Sequence, residues 1–162
     1  MSDFKGFAPM TRPADLLVKM QHDLLRMEQA LAHPYPAFDF FITAEHLLDW
    51  LYPDATGSKN GKIRGQKRQS EPLLRVTSHL ANGAKHFQVT GKHHTSVDSL
   101  RVHDGVFDPK VFDPHVFDTE RLIIELQGDE ANALGQQISA IDLARRVLAY
   151  WQQQLANSLP EP

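Results

Sequence analysis

Cysteine is missing from this chain of 162 residues, and its absence excludes several classes of protein. Without thiols there is no disulfide scaffold, no thiolate nucleophile and no cysteine-ligated zinc or iron–sulfur site. Long apolar runs are missing too: no run reaches the roughly 18 residues of a membrane-spanning helix, so we expect no membrane association. No apolar stretch follows basic residues near the N-terminus, so we expect no signal peptide and a cytoplasmic location.

Strong net charge is also absent, because the formal value is only −3 with histidine neutral. Such a balance does not by itself indicate a polyanionic partner. The length suits one hydrophobic core, so we predict a single domain over residues 1–162. Charge is nevertheless segregated along the chain: residues 54–70 are rich in Lys, Arg, Gly and Ser, whereas residues 98–130 carry nine acidic and three basic side chains. The sequence predicts a flexible basic loop over 54–70, either functional or disordered.

Apolar residues that recur every three or four positions predict four amphipathic helices. The first begins at Thr11 as the capping residue, the second spans Ala37 to Tyr52, the third Ser70 to about His86, and the fourth Ser139 to about Leu159. A hydroxyl or carboxylate at the start of a helix accepts hydrogen bonds from its first backbone N–H groups, which favours these starting points.

The periodicity changes after the third helix. Residues 86–90 and 121–126 have the composition of β-strands. Between them, a Val-Phe-Asp-Pro repeat of period five over 106–119 matches neither helix nor strand, and its prolines exclude a central strand. We therefore predict a β element with a turn-rich acidic excursion over 87–126. The repeat either docks a partner or folds its phenylalanines onto the protein.

Together these patterns predict a mainly α fold: a four-helix bundle with a small β-hairpin insertion between the third and fourth helices. The most informative pattern lies on the third helix, where Arg75, His79, Asn82 and His86 follow one another at i, i+4, i+7 and i+11 and share one side. Two imidazoles can exchange protons near neutral pH, and a guanidinium can hold a phosphate. The pattern predicts a site for phosphodiester cleavage or phosphate binding without a metal, or else an ordinary solvated helix face.

The end of this helix, Asn-Gly-Ala-Lys-His-Phe at 82–87, resembles the tail of the Arg-Asn-x-x-x-His motif of HEPN-superfamily helical bundles. The motif's Asn and His correspond to Asn82 and His86. Alanine stands where the motif has its arginine, so Arg75 or His79 would take that role. The resemblance implies a homodimer with metal-independent ribonuclease activity, of the kind found in toxin–antitoxin and phage-defence systems. The whole chain also looks like bacterial and phage proteins to which no activity is attached.

Basic side chains near this helix and in the predicted loop are candidate contacts to an RNA backbone. They are Lys59, Lys62, Arg64, Lys67, Arg68 and Lys85. The chain also has nine histidines, and His46, His79 and His86 could together hold a metal ion. No His-x-x-x-His or Glu-x-x-His occurs on a predicted helix, so we expect neither a metal ion nor another cofactor.

Three functions therefore remain open at this point. The first is a HEPN-like RNA-binding protein or metal-independent ribonuclease. The second is a non-catalytic protein-interaction module, which would use the basic loop and the acidic excursion to bind partners. The third is a histidine-ligated metal enzyme.

Overall fold

The computed structural model describes residues 7–86, 89, 91–92, 94–103 and 120–157. Six helices and three strands occupy these residues. In chain order they are α1 (Pro13–Gln29), α2 (Pro34–Leu51), α3 (Lys59–Ser70), α4 (Pro72–Lys85), β1 (Val97–His103), β2 (Arg121–Leu126), α5 (Gly128–Leu134), β3 (Gln137–Ser139) and α6 (Ala140–Ala156). Within these ranges no helix is long and apolar enough to cross a membrane. The protein is mainly helical, as predicted, with a small antiparallel sheet.

Helix α2 lies at the centre of the helical part of the core, where it contacts α1, α4 and α6. Phe40 and Leu47 are fully buried because neighbouring helices cover α2 on several sides. Prolines at 34 and 36 lie in the first turn of α2, where a proline breaks no intrahelical hydrogen bond. Trp151 of α6 is also buried in this core. Burial of these large side chains is the main stabilising contribution to the fold.

The sheet has the strand order β1-β2-β3 and is antiparallel throughout. Along β2, Leu122, Ile124 and Leu126 are buried and alternate with half-buried residues, because successive side chains of a strand point to opposite faces. The predicted strand at 121–126 is confirmed. Of the other predicted strand, at 86–90, only residues 86 and 89 are described, and neither lies in a strand. The strand that pairs with β2 is β1, which begins at Val97. The Val-Phe-Asp-Pro repeat lies outside the described residues.

The flexible loop predicted over 54–70 is wrong for residues 59–70, which form α3. The Oγ of Ser58 accepts a hydrogen bond from the N–H of Gly61 at 3.0 Å and caps the helix. Ile63 is the single aliphatic residue of α3, so no apolar periodicity marked it as a helix. Instead, the buried side chain of Arg64 anchors α3 by donating to the carbonyl oxygens of Tyr52 and Asp54.

Capping decides where two of the predicted helices begin. Helix α6 starts after Ser139 as predicted, and the Ser139 Oγ accepts a hydrogen bond from the N–H of Asp142 at 3.2 Å. Thr11 does not cap α1. The Asp15 carboxylate accepts from the backbone N–H groups of Thr11 and Arg12 at 3.0 and 2.9 Å, and Arg12 is the capping position.

Candidate functional site

A cleft of about 580 Å³ lies between α2, α3 and α4. Helices α3 and α4 meet at a single residue, Glu71, whose extended backbone ends one helix and begins the next. Both helices therefore contribute side chains to the cleft from the joint outward. The lining residues are Glu45 of α2, Gly65, Arg68 and Gln69 of α3, Arg75, Ser78 and Asn82 of α4, and His94 from the segment before β1.

Two pairs of opposite charges join α2 to α3 along one wall of the cleft. Glu45 and Asp49 lie one turn apart on α2, and Arg64 and Arg68 lie one turn apart on α3. The Nη2 of Arg68 is 2.5 Å from the Oε1 of Glu45, and the Nε of Arg64 is 3.2 Å from the Oδ1 of Asp49. The equal spacing on both helices sets their register and holds the Arg68 guanidinium at the cleft.

The carboxylate of Glu45 is largely shielded from water. Burial raises the pKa of Glu45, and the charge and hydrogen bond of Arg68 oppose part of that shift. The same oxygen that pairs with Arg68 also accepts a hydrogen bond from the Oγ of Ser78 at 3.2 Å. A carboxyl group with a raised pKa exchanges protons closer to neutral pH than an exposed one. Glu45 therefore has the chemistry of a general base or acid.

Arg75 contacts two neighbouring helices from its place in the cleft. Its Nε forms an ion pair with Glu130, a buried residue of α5, and its Nη1 donates to the carbonyl oxygen of Gln69. The side chain thus connects α3, α4 and α5. Because Arg68 and Arg75 both line the cleft, two guanidinium groups lie at its surface.

The Nε of Arg68 is buried and has no hydrogen-bond partner among the described residues. Buried polar groups of proteins are almost always hydrogen-bonded, so this unpartnered donor carries an energetic cost.

The cleft includes only part of the predicted catalytic group. Arg75 and Asn82 line it, and the Asn82 side chain donates to the carbonyl oxygen of Ser78 at 2.8 Å. His86 is exposed at the C-cap of α4 and is not among the lining residues. The structure therefore does not bring His79 and His86 together as an acid–base pair in this cleft.

His79 is directed at the start of β1. Its Nδ1 accepts a hydrogen bond from the N–H of Val97 at 3.0 Å and lies 3.2 Å from the Oγ of Ser96. An Nδ1 that accepts from a backbone N–H carries no proton, so the ring is neutral with its proton on Nε2. Burial lowers the pKa of His79, and the charge of Glu130 opposes part of that shift. The ring centroid lies 5.4 Å from that of His94.

Of the six predicted RNA contacts, three interact with other groups of the protein and three are exposed. Arg64 is buried against backbone carbonyl groups, so its assignment as an RNA contact is wrong. The Nζ of Lys67 lies 3.5 Å from the Oε1 of Gln154 and 5.7 Å from the centre of the Tyr52 ring. Arg68 is paired with Glu45 at the cleft. The remaining three, Lys59, Lys62 and Lys85, are exposed.

The structure does not bring together the three histidines that were considered as an alternative metal site. His46 borders a different pocket, of about 310 Å³, together with Trp50 and residues of α1, while His79 contacts Ser96 and His86 is exposed. Among the described residues, no group of three or more His, Asp or Glu is placed to hold a metal ion.

Five cleft residues were not predicted as site residues: Glu45, Gly65, Gln69, Ser78 and His94. The matching one-turn spacing of acids on α2 and arginines on α3 is a signal that could have pointed to Glu45. It is readable only once residues 59–70 are known to be helical. Nothing in the sequence indicates that Ser78 or His94 would lie beside it.

These observations define the class of the molecule: a mainly helical protein with a small antiparallel sheet and a polar cleft walled by three helices. No protein-family model matches the chain. Comparisons with curated proteins and with solved structures found no match either.

Proposed function

We propose that the protein binds RNA in the cleft and cleaves its phosphodiester bond without a metal ion. The observation that carries this proposal is the meeting of Arg68, Arg75 and the half-buried Glu45 in one cleft. A guanidinium group matches the geometry of a phosphate, because it presents several N–H donors in one plane. A neighbouring carboxyl group with a raised pKa supplies the proton acceptor that cleavage needs.

In the proposed reaction, Glu45 takes the proton of the ribose 2′-hydroxyl. The 2′-oxygen then bonds to the adjacent phosphorus while the bond from phosphorus to the 5′-oxygen breaks. His94 gives a proton to the departing 5′-oxygen, so the products are a 2′,3′-cyclic phosphate and a 5′-hydroxyl. Arg68 and Arg75 stabilise the negative charge that develops on the phosphorus oxygens. Glu45 and His94 thus replace the predicted pair of His79 and His86.

The proposal keeps the HEPN-like assignment in a modified form. Helices α1, α2, α4 and α6 would be the four helices of the bundle, and Asn82 of the motif lies at the cleft. A toxin or phage-defence role follows if host RNA is the substrate. Growth arrest of an expressing host would then accompany the activity.

The test is incubation of purified protein with total RNA in EDTA, comparing the wild type with Glu45→Gln. We expect the variant to cleave at least about 100-fold more slowly, the usual loss when a general base is removed. Glu120→Gln, at an exposed position outside the cleft, is the matched control, and circular dichroism checks that each variant folds. Intact RNA with the wild type, or equal rates with Glu45→Gln, would contradict the proposal.

The second candidate is a non-catalytic protein-interaction module. Leu100 and Val102 of β1 pair with Ile124 and Leu122 of β2, so all four side chains lie on one face of the sheet. The β2 residues are buried, whereas Leu100 and Val102 are 49% and 47% exposed. A partner, including a second copy of the chain, would extend the core over these residues. Intact RNA in the assay above favours this candidate.

A further inference from the structure

We propose that the cleft binds a chain of phosphates, as in single-stranded RNA, and that Lys62 and Lys85 hold the phosphates on either side of the one at Arg68 and Arg75. This inference rests on the RNA-binding function proposed above. It names the form of the ligand and selects two of the six predicted basic contacts.

On α3, the cleft is lined by Gly65, Arg68 and Gln69. Lys62 precedes Gly65 by three positions and Gln69 by seven, and residues with these spacings lie on the same face of a helix. Lys62 is exposed. Lys62 therefore lies on the cleft face of α3, about one turn beyond Gly65 in the direction away from Glu71.

Helix α4 repeats this arrangement from the other side of the joint. Ser78 and Asn82 line the cleft, and Lys85 follows them by seven and three positions. Lys85 is exposed and is the last residue of α4. The two lysines therefore extend the cleft faces of two helices that meet at Glu71, each one turn beyond the lined region.

The other basic residues of α3 are turned away or occupied. Lys59 precedes Gly65 by six positions and Arg68 by nine, which at 100° per residue places it about 120° and about 180° around the helix from them. Arg64 and Lys67 are held by Tyr52 and by other groups of the protein. Among the described residues, neither Lys62 nor Lys85 has an ion-pair partner, so both ammonium groups can bind an anion.

This charge arrangement suits a polymer better than a single phosphate. Arg68 and Arg75 are already paired with Glu45 and Glu130, so one phosphate gains little net charge neutralisation inside the cleft. The lysines add two uncompensated positive charges that only a ligand extending outward on both sides can reach. Each lysine–phosphate contact with a single strand changes the slope of log affinity against log salt by about 0.7.

The experiment measures binding of a single-stranded 2′-O-methyl RNA octamer, which lacks the hydroxyl needed for cleavage, and of a nucleoside monophosphate, over a range of salt concentrations. We expect the octamer to bind at least about tenfold more tightly than the monophosphate. In Lys62→Gln/Lys85→Gln, the slope for the octamer should fall by about 1.4 and its affinity should approach that of the monophosphate. The matched control, Lys59→Gln/Arg146→Gln, removes the same charge from exposed positions off the cleft face and should bind as the wild type does.

The outcomes separate this inference from the proposed function. Equal affinity for the monophosphate and the octamer overturns the inference but leaves the proposed function standing, because the cleft still binds phosphate. An equal loss of octamer affinity in the two double variants has the same consequence. Binding of neither ligand overturns the proposed function together with the inference. Binding of inorganic polyphosphate as tight as that of the octamer overturns the assignment to nucleic acid.

Discussion

The imidazole of His79 joins α4 to β1 through one backbone hydrogen bond from Val97. Because burial lowers the pKa of His79 below its ordinary value of 6.5, the folded protein binds the proton less readily than the unfolded chain does. Stability from this residue is therefore fully present above pH 6.5 and is lost as the pH falls through the lower folded pKa. We expect the urea midpoint of the wild type to fall between pH 7.5 and 5.

The variant His79→Asn tests the cause of this pH dependence. The asparagine Oδ1 can accept the Val97 N–H but does not titrate, so the variant should lose less stability over the same pH range. His86→Asn, at an exposed position, should keep the wild-type dependence. Identical pH profiles for His79→Asn and the wild type would show that other groups cause the loss.

Helix α3 contains two glycines with opposite environments. A Cβ at Gly61 would lie 2.1 Å from the carbonyl oxygen of Thr56, whereas a Cβ at Gly65 would have no neighbour within 4 Å. Gly61→Ala should destabilise the protein by about 1–3 kcal/mol, because the backbone of residues 55–56 must shift. Gly65→Ala should stabilise it by up to about 1 kcal/mol, the difference in helix propensity.

Urea denaturation measures both glycine variants against the wild type. Changes of the same sign would mean that residues 59–70 do not form the helix that places Arg68 at the cleft.

Among the elements, those with an apolar repeat were predictable and the others were not. Helices α1, α2, α4 and α6 and strand β2 bury regularly spaced side chains, so local periodicity marked them. Helix α3 is held by polar contacts, and α5 and β3 are too short to show a period. On α4 the apolar pattern did not indicate every buried residue. Thr77 and Ser78 are buried as well, because α4 contacts α2, α3, α5 and α6.

At the scale of the whole molecule, the sheet and the helices share one hydrophobic core. Ile124 of β2 and Trp151 of α6 are both buried in it. Ile124→Ala should lower the free energy of unfolding by about 2–5 kcal/mol, and the helical circular dichroism and the tryptophan fluorescence should change together. Ile123→Ala, at the half-buried neighbouring position, should cost less.

Separate transitions for the two signals would contradict a single cooperative unit. Residues 1–162 would then be more than one folding unit. A loss for Ile123→Ala as large as that for Ile124→Ala would instead show that both faces of β2 are packed.

Amino-acid order alone was enough for the mainly helical class, the strand at 121–126 and the cap at Ser139. Each of these depends on side chains close together in sequence, whose spacing or capping geometry can be read locally. The cleft was decided by packing between elements, because Glu45, Arg68, Arg75 and His94 come from four separate segments. Their charges raise or lower one another's proton affinity only at contact distance, which no local pattern encodes. Packing likewise decided the place of His86, which is exposed at the end of α4, whereas Arg75 and Asn82 line the cleft.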